Sequence, residues 1–435
     1  MSETPSYPTA RSGWTLTILL TVAYIFSYID RSILGLLVDP IKADLKLSDA
    51  DIGYVSGIAF AIFYATMGLP LGWFADRTKR TRLVAGGIAL WSLATAACGM
   101  AGTFWHLFLA RMSVGVGEAT LGPAAMSLIG DSFPPEKRGK PVALYSAALG
   151  LGAGIAGLAS AAIVAWTKGS TVIALPLLGD VKPWQMTFII VGLPGLLIAL
   201  GFLFLREPPR QSTGSASNSV GAAFGEVGHN AGAYAGVTVM VCVMTITAYA
   251  QGYFAPSAFT RAYGWPTEKF ALYNGLASLF IGPATMAFTG WLNDRMASRG
   301  ITDAPFRLAM IAFIAMVPMA SLTFFLGNAW ATFVLHALTT VPIAMVTAAA
   351  LLALLAIAPA AVRGQVVALY YVAISLSGLL LGPTTVGFLS TNVYGEAKLG
   401  WAISTTTAIY GAIPLLLLPL IWRAYHRKLA TIQEI

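Results

Sequence analysis

Gly72-Trp73-Phe74-Ala75-Asp76-Arg77 is answered 218 residues later by Gly290-Trp291-Leu292-Asn293-Asp294-Arg295, and each copy closes a long apolar run. Two more echoes follow in the same order. Gly102-x-x-Trp105 returns as Gly327-x-x-Trp330. Pro134-x-x-x-Arg138-Gly139-x-x-Val142-Ala143-Leu144-Tyr145 returns as Pro359-x-x-x-Arg363-Gly364-x-x-Val367-Ala368-Leu369-Tyr370, both at an offset of 225. Three matches in one order, separated by a single small insertion, mark a chain built from two homologous halves, a common construction in membrane proteins.

The composition states what the halves are made of. Of the 435 residues, 57% are hydrophobic and 10% charged, whereas a soluble domain carries about 25% charged residues. Stretches of about 20 apolar residues, long enough to cross the hydrocarbon layer as helices, are expected at 14–38, 51–74, 82–101, 104–130, 139–166, 185–205, 234–260, 267–292, 306–326, 329–358, 364–391 and 400–422. The expected fold is therefore an all-α polytopic membrane protein of twelve transmembrane helices in two pseudo-symmetric six-helix bundles. Residues 1–13 form a cytoplasmic leader, 14–205 the first bundle, 206–233 a cytoplasmic linker, 234–423 the second bundle and 424–435 a cytoplasmic tail. The stretch 206–230 is rich in Gly, Ser and Pro and reads as a mobile connector, with a weak signal for a short helix at 220–227. The first span is too long for a secretory signal and lacks its cleavage site.

A net charge of +8 does not point to nucleic acid. Most of the 26 Lys and Arg residues fall in alternate loops, and the positive-inside rule places those loops and both termini in the cytoplasm, in a cell (inner) membrane. Cys98 and Cys242 lie in apolar spans and read as packing residues. No nucleophile motif, paired catalytic carboxylates or metal-ligand cluster is present, so an enzyme, a metal site and a bound cofactor are not expected. Nor is there a phosphate-binding P-loop. A transporter driven by a gradient is the leading class, a membrane receptor or scaffold the alternative.

Charges inside the membrane are costly and mark function. Asp30, Arg31, Arg111, Glu118 and His336 fall inside expected spans. Asp30 and Arg111 sit at similar depth, and Asp30 points away from adjacent Arg31, so Arg111 is its candidate partner. Glu118 lies two turns beyond Arg111 on nearly the same helical face. These four are the candidate substrate-binding and proton-coupling residues, with Glu118 the first choice for the proton and Asp30 the second. A static pair that only orients helices is the competing reading. The offset of 225 aligns Arg111 with His336, and a weaker alignment pairs Asp30 with Gln251. Tyr249, Gln251, His336, Tyr370 and Tyr371 are therefore candidate cavity residues of the second half. A cavity charged on one wall and aromatic on the other suits an amphiphile.

The paired Gly-x-x-x-Asp-Arg loops with their trailing basic residues, over twelve spans, resemble the major facilitator superfamily, with a departure at Lys79, where that family has Gly. Tyr28-Ile29-Asp30-Arg31, the loop motif, and Arg111-x-x-x-Gly115-x-Gly117-Glu118-Ala119 most resemble its Spinster branch of lipid transporters. The resemblance implies the major facilitator fold, alternating access, and a cavity lined by spans one, four, seven and ten. It also implies a lipid-like or organic-anion substrate moved with protons by a monomer in the bilayer. Gly72, Asp76, Arg77, Arg80, Arg138, Asp294, Arg295 and Arg363 would form the conformational latch, with Gly72 allowing close approach of a neighbouring helix. Small organic anions are the alternative substrate class.

Overall fold

A computed structural model describes residues 7–167, 173–175, 179–211, 220–359 and 362–433. The first half contains α1 (Ala10–Leu36), α2 (Val38–Leu45), α3 (Asp49–Ser56), α4 (Ile58–Arg77), α5 (Arg80–Cys98), α6 (Phe104–Glu118), α7 (Leu121–Ser132), α8 (Gly139–Thr167), α9 (Pro183–Gly192) and α10 (Pro194–Phe204). The rest contains α11 (Val220–His229), α12 (Ala231–Tyr263), α13 (Thr267–Ala297), α14 (Ala304–Leu322), α15 (Ala329–Ile357), α16 (Arg363–Leu389) and α17 (Leu399–Gln433). Apolar composition drives every long segment to helix, because only internally bonded backbone survives in hydrocarbon.

Among the described residues, 11 helical stretches are long and apolar enough to cross a membrane. The remaining expected span, the fourth, at 104–130, is present but broken. It is built from α6 and α7, and the break falls at Ala119–Thr120, where the Thr120 hydroxyl and backbone amide both donate to the Gly117 carbonyl, at 2.8 and 3.2 Å, a tighter turn than the α-helical one. Fold and span number therefore follow the sequence reading, with the fourth span discontinuous directly after Glu118.

The described residues cluster into two compact units, Met1–Thr213 with Gly264–Leu279, and Gly214–Tyr263 with Phe280–Ile435. Small residues explain why the start of α13 joins the first unit. A Cβ on Gly154 would stand 2.9 Å from the Leu279 Cα, and one on Gly157 3.0 Å from the Gly275 Cα. Only glycines let these backbones approach so closely. A short hairpin that the sequence reading did not expect lies between α8 and α9, where the three residues Ile173–Leu175 pair antiparallel with Gly179–Val181.

The repeat seen in the sequence is reproduced bond by bond. The Arg138 Nε donates to the Phe133 carbonyl at 2.8 Å, and Arg363, 225 positions on, donates to the Ala358 carbonyl at 3.2 Å. Likewise Arg77 stacks over Trp73 at 3.9 Å and Arg295 over Trp291 at 5.4 Å, one helical turn apart in each half.

One expectation is corrected. Among the described residues, a Cβ on Gly72 or on Gly290 would meet open space, so these glycines do not serve a close helix approach. The crowded glycines lie deeper in the helices, where apolar faces meet. The linker is corrected as well. Its first part is docked rather than mobile, through Arg80, Arg210 and Gln211, whereas the short helix weakly signalled at 220–227 is present over Val220–His229 with Ala223 fully buried; residues 212–219 lie outside the described residues.

Candidate functional site

Arg31 and Glu118 form the centre of a buried ionic cluster in the first unit. The Glu118 Oε2 accepts from the Arg31 Nη2 at 2.5 Å, the Arg31 Nε at 2.7 Å and the Ser27 hydroxyl at 2.6 Å. Ser27 and Arg31 stand one turn apart on α1, so both reach the same oxygen. Glu118 is the last residue of α6, where the helix dipole disfavours a negative charge; the three donors offset that penalty. Asp30 is held differently. Its Oδ2 accepts from Thr95 of α5 at 3.2 Å, and its charge lies within electrostatic reach of Glu118, Arg111 and Arg31.

Arg111 is the anomaly. It is 0% exposed, and among the described residues none of its three guanidinium nitrogens has a hydrogen-bond partner. The Asp30–Arg111 hydrogen bond expected from helical depth is therefore not formed. Adjacent Arg31, pointing elsewhere on α1, takes Glu118, and Thr95 takes Asp30. What Arg111 does have is an aromatic face. The Phe60 ring of α4 lies 5.3 Å from the Arg111 Cζ and 5.0 Å from the Arg31 Cζ, and Tyr64 lies 5.1 Å from the latter. Each such contact contributes about 0.5 to 2 kcal/mol, less than the desolvation of a guanidinium.

Two glycines bring this cluster together. A Cβ on Gly115 would stand 2.6 Å from the Phe60 carbonyl oxygen, and one on Gly117 2.7 Å from that of Gly87. Hence α6 lies directly on α4 and α5, which sets Arg111 against Phe60. Phe60, Tyr64, Ser27 and Thr95 were not singled out from the sequence. The spacing of Ser27 and Arg31, and of Phe60 and Tyr64, was available as a signal; for Thr95 none existed.

The second unit holds the other candidates. The rings of Tyr249 and Tyr253 stack at 6.4 Å, and Gly378 and Gly382 of α16 pack beside Tyr249. Gln251 is buried, and among the described residues its Nε2 has no partner. His336 is buried with Phe259 and Phe333, each 6.4 Å from its ring. Tyr370 is buried, Tyr371 exposed, their rings 5.4 Å apart.

The latch residues divide. Arg80 is the node of a tight cluster in the first unit: Nε donates to Glu207 at 2.7 Å, Nη1 to Asp131 at 2.5 Å and to Ser127 at 2.6 Å, and Nη2 to the Pro208 carbonyl at 3.1 Å. Arg210 donates to the carbonyls of Ala75 and Thr78 at 2.7 and 2.9 Å, and the Gln211 amide to Asp131 at 3.2 Å. The start of the linker is thereby tied to the loop after α4. Arg77 is exposed and reaches its own helix at Trp73. Asp294 accepts from Asn293 at 3.5 Å; the side chain of Asp76 lies outside the described residues.

Two helical halves with buried charges in the first define a polytopic α-helical membrane protein. Residues 20–383 match the model of the Major Facilitator Superfamily, and the chain belongs to that superfamily. It is 29% identical over 291 residues to an MFS-type efflux pump of Mycolicibacterium smegmatis, covering 66% of this chain. It is 32% identical over 192 residues to a probable L-galactonate transporter of Escherichia coli, and 31% over 204 residues to protein spinster homolog 1 of Rattus norvegicus, covering 44% and 46% of the chain. The aligned stretches span 64%, 39% and 36% of those relatives' lengths. In fold the chain is similar to a bacterial homologue of the human lysosomal transporter Spinster in an inward-facing, unoccupied conformation. The TM-score is 0.82 at 22% identity, covering 97% of this chain and 99% of that one.

Proposed function

We propose that the protein is a proton-coupled secondary transporter of the inner membrane, with both termini cytoplasmic, that carries an anion-headed amphiphile by alternating access. The observation that supports this reading is Arg111, a fully buried guanidinium with no hydrogen-bond partner among the described residues. A buried cation with five N–H donors gains most from a carboxylate or phosphate that it can bind in bidentate fashion. Such an anion would also compete for Arg31 and weaken its hold on Glu118. The carboxylate would then take up a proton, since loss of a cationic partner favours its neutral form, and release of the anion would reverse the step.

A second reading, a small organic anion without an acyl chain, is supported by the similarity to the probable L-galactonate transporter. Purified protein in proteoliposomes, offered labelled lysophospholipids, sphingoid compounds and small organic acids under an imposed pH gradient, tests both. Accumulation of the lipid-like probes, lost in Arg111→Gln, is the expected result. Accumulation of small acids alone would establish the second reading. Binding without flux of any probe would leave a receptor.

A further inference from the structure

We propose that the outer face of the last turns of α17 binds an anionic phospholipid. Leu416, Leu420, Arg423 and Arg427 follow at steps of four, three and four, which places them on one stripe of the helix. Leu416 and Leu420 are 80% and 58% exposed, and both arginines are exposed. The stripe is thus apolar, then basic, over 11 residues or roughly 16 Å, the depth over which a bilayer passes from acyl chain to headgroup. Beside it runs an open groove of about 900 Å³ lined by Gly232, Leu417, Leu420, Trp422, Arg423 and Arg427. Its floor forms where α12 meets α17, because a Cβ on Gly232 would stand 3.0 Å from the Ala424 Cβ. Trp422 marks the interfacial level, where amphipathic rings collect.

Charge decides the occupant. The basic side chains at this end of the second unit divide into two groups. Lys428 is paired with Glu226 at 2.6 Å, and Asp303 is shared by Arg307 at 2.7 Å and His426 at 2.8 Å. Arg423 and Arg427 have no acidic partner among the described residues; the Arg427 Nε only approaches the Arg423 carbonyl at 3.4 Å. Among the described residues the neighbouring acids are therefore already used, and two adjacent guanidinium groups face outward at the foot of an apolar stripe. A phosphodiester headgroup complements them and its acyl chains cover the leucines, whereas a soluble anion would leave the leucines uncovered. Basic clusters at the membrane boundary select anionic lipid in this way. The site uses none of the residues assigned to transport.

The test uses the full chain in nanodiscs of mixed phosphatidylglycerol and phosphatidylcholine, with retained lipid read by native mass spectrometry. Phosphatidylglycerol should be retained in preference, and Arg423→Gln with Arg427→Gln should reduce that retention roughly tenfold or more, the scale expected for two basic groups at an anionic surface. Arg111→Gln should leave it unchanged. Equal retention of both lipids, or full retention by the double variant, would overturn the site. Loss in Arg111→Gln alone would overturn it too, since the lipid would then occupy the proposed transport site. Should the double variant misfold, a photoactivatable phosphatidylglycerol on the unsubstituted protein serves instead. Crosslinks within 416–427 support the site, and crosslinks only elsewhere sink it.

Discussion

Glu118 and Arg31 face each other so directly that their coupling can be ranked against that of Asp30 and Arg111. Removing one partner of a buried pair leaves the other unmatched, at a cost of about 3 to 5 kcal/mol. A double-mutant cycle with Arg31→Gln and Glu118→Gln should therefore show strong non-additivity in thermal stability. The cycle with Asp30→Asn and Arg111→Gln, residues without a mutual hydrogen bond, should show much less. A larger coupling for the second cycle would contradict the geometry. Function supplies an independent check, because proton coupling through Glu118 predicts that Glu118→Gln abolishes uptake driven by a pH gradient while exchange between equal pools survives. Retained accumulation by Glu118→Gln would pass the role to Asp30.

Helix contact, rather than helix propensity, distinguishes the glycines. At Gly117 any side chain meets the backbone of α5, the Gly87 carbonyl at 2.7 Å and the Trp91 amide at 2.8 Å. Gly117→Ala should cost about 1 to 3 kcal/mol through overpacking and displace Glu118 beside it. Gly72→Ala meets nothing within contact distance, and alanine is the better helix former by up to about 1 kcal/mol, so melting of that variant should match or exceed the parent protein. A melting point lowered as much as by Gly117→Ala would show that α4 has a close neighbour at Gly72 in another state.

On the scale of the whole molecule, two carboxylates at helix ends make its stability depend on pH. Burial pushes the Asp303 carboxyl up, but hydrogen bonds from Arg307 and His426 outweigh it and hold the group below its usual range. Glu226 is likewise raised by burial and brought below its usual range by Lys428 and Tyr234. A depressed carboxylate contributes stability that is complete above its unfolded value, about 4, and is lost as pH falls through the lower folded value. Thermal stability should therefore decline below about pH 4, and less steeply in Asp303→Asn, which should itself lower stability at neutral pH by about 2 kcal/mol. The latch expected of the loop motif is tested on the same scale. Asp76→Asn or Arg77→Ala should shift spin-label distances across the cytoplasmic mouth toward the inward-open form, and an unchanged distribution would reduce the motif to setting topology.

Span number, the duplicated plan and the presence of costly charges in the first half were legible in the sequence, because each rests on composition or periodicity that no packing arrangement can reverse. A run of twenty apolar residues has only helix available in a bilayer, and the helix ends at 72–77 and 290–295 repeat in structure because they repeat in sequence. Which charge meets which was not legible. Depth along a helix is set by residue number, but azimuth is set by the neighbours, and here Gly115 and Gly117 seat α6 against α4 and α5 so that Arg31 takes Glu118, Thr95 takes Asp30, and Arg111 faces Phe60. The docking of Glu207 against Arg80 and that of Arg210 against the end of α4 belong to the same class. They depend on contacts between segments far apart in the chain, and only the tertiary structure decides those.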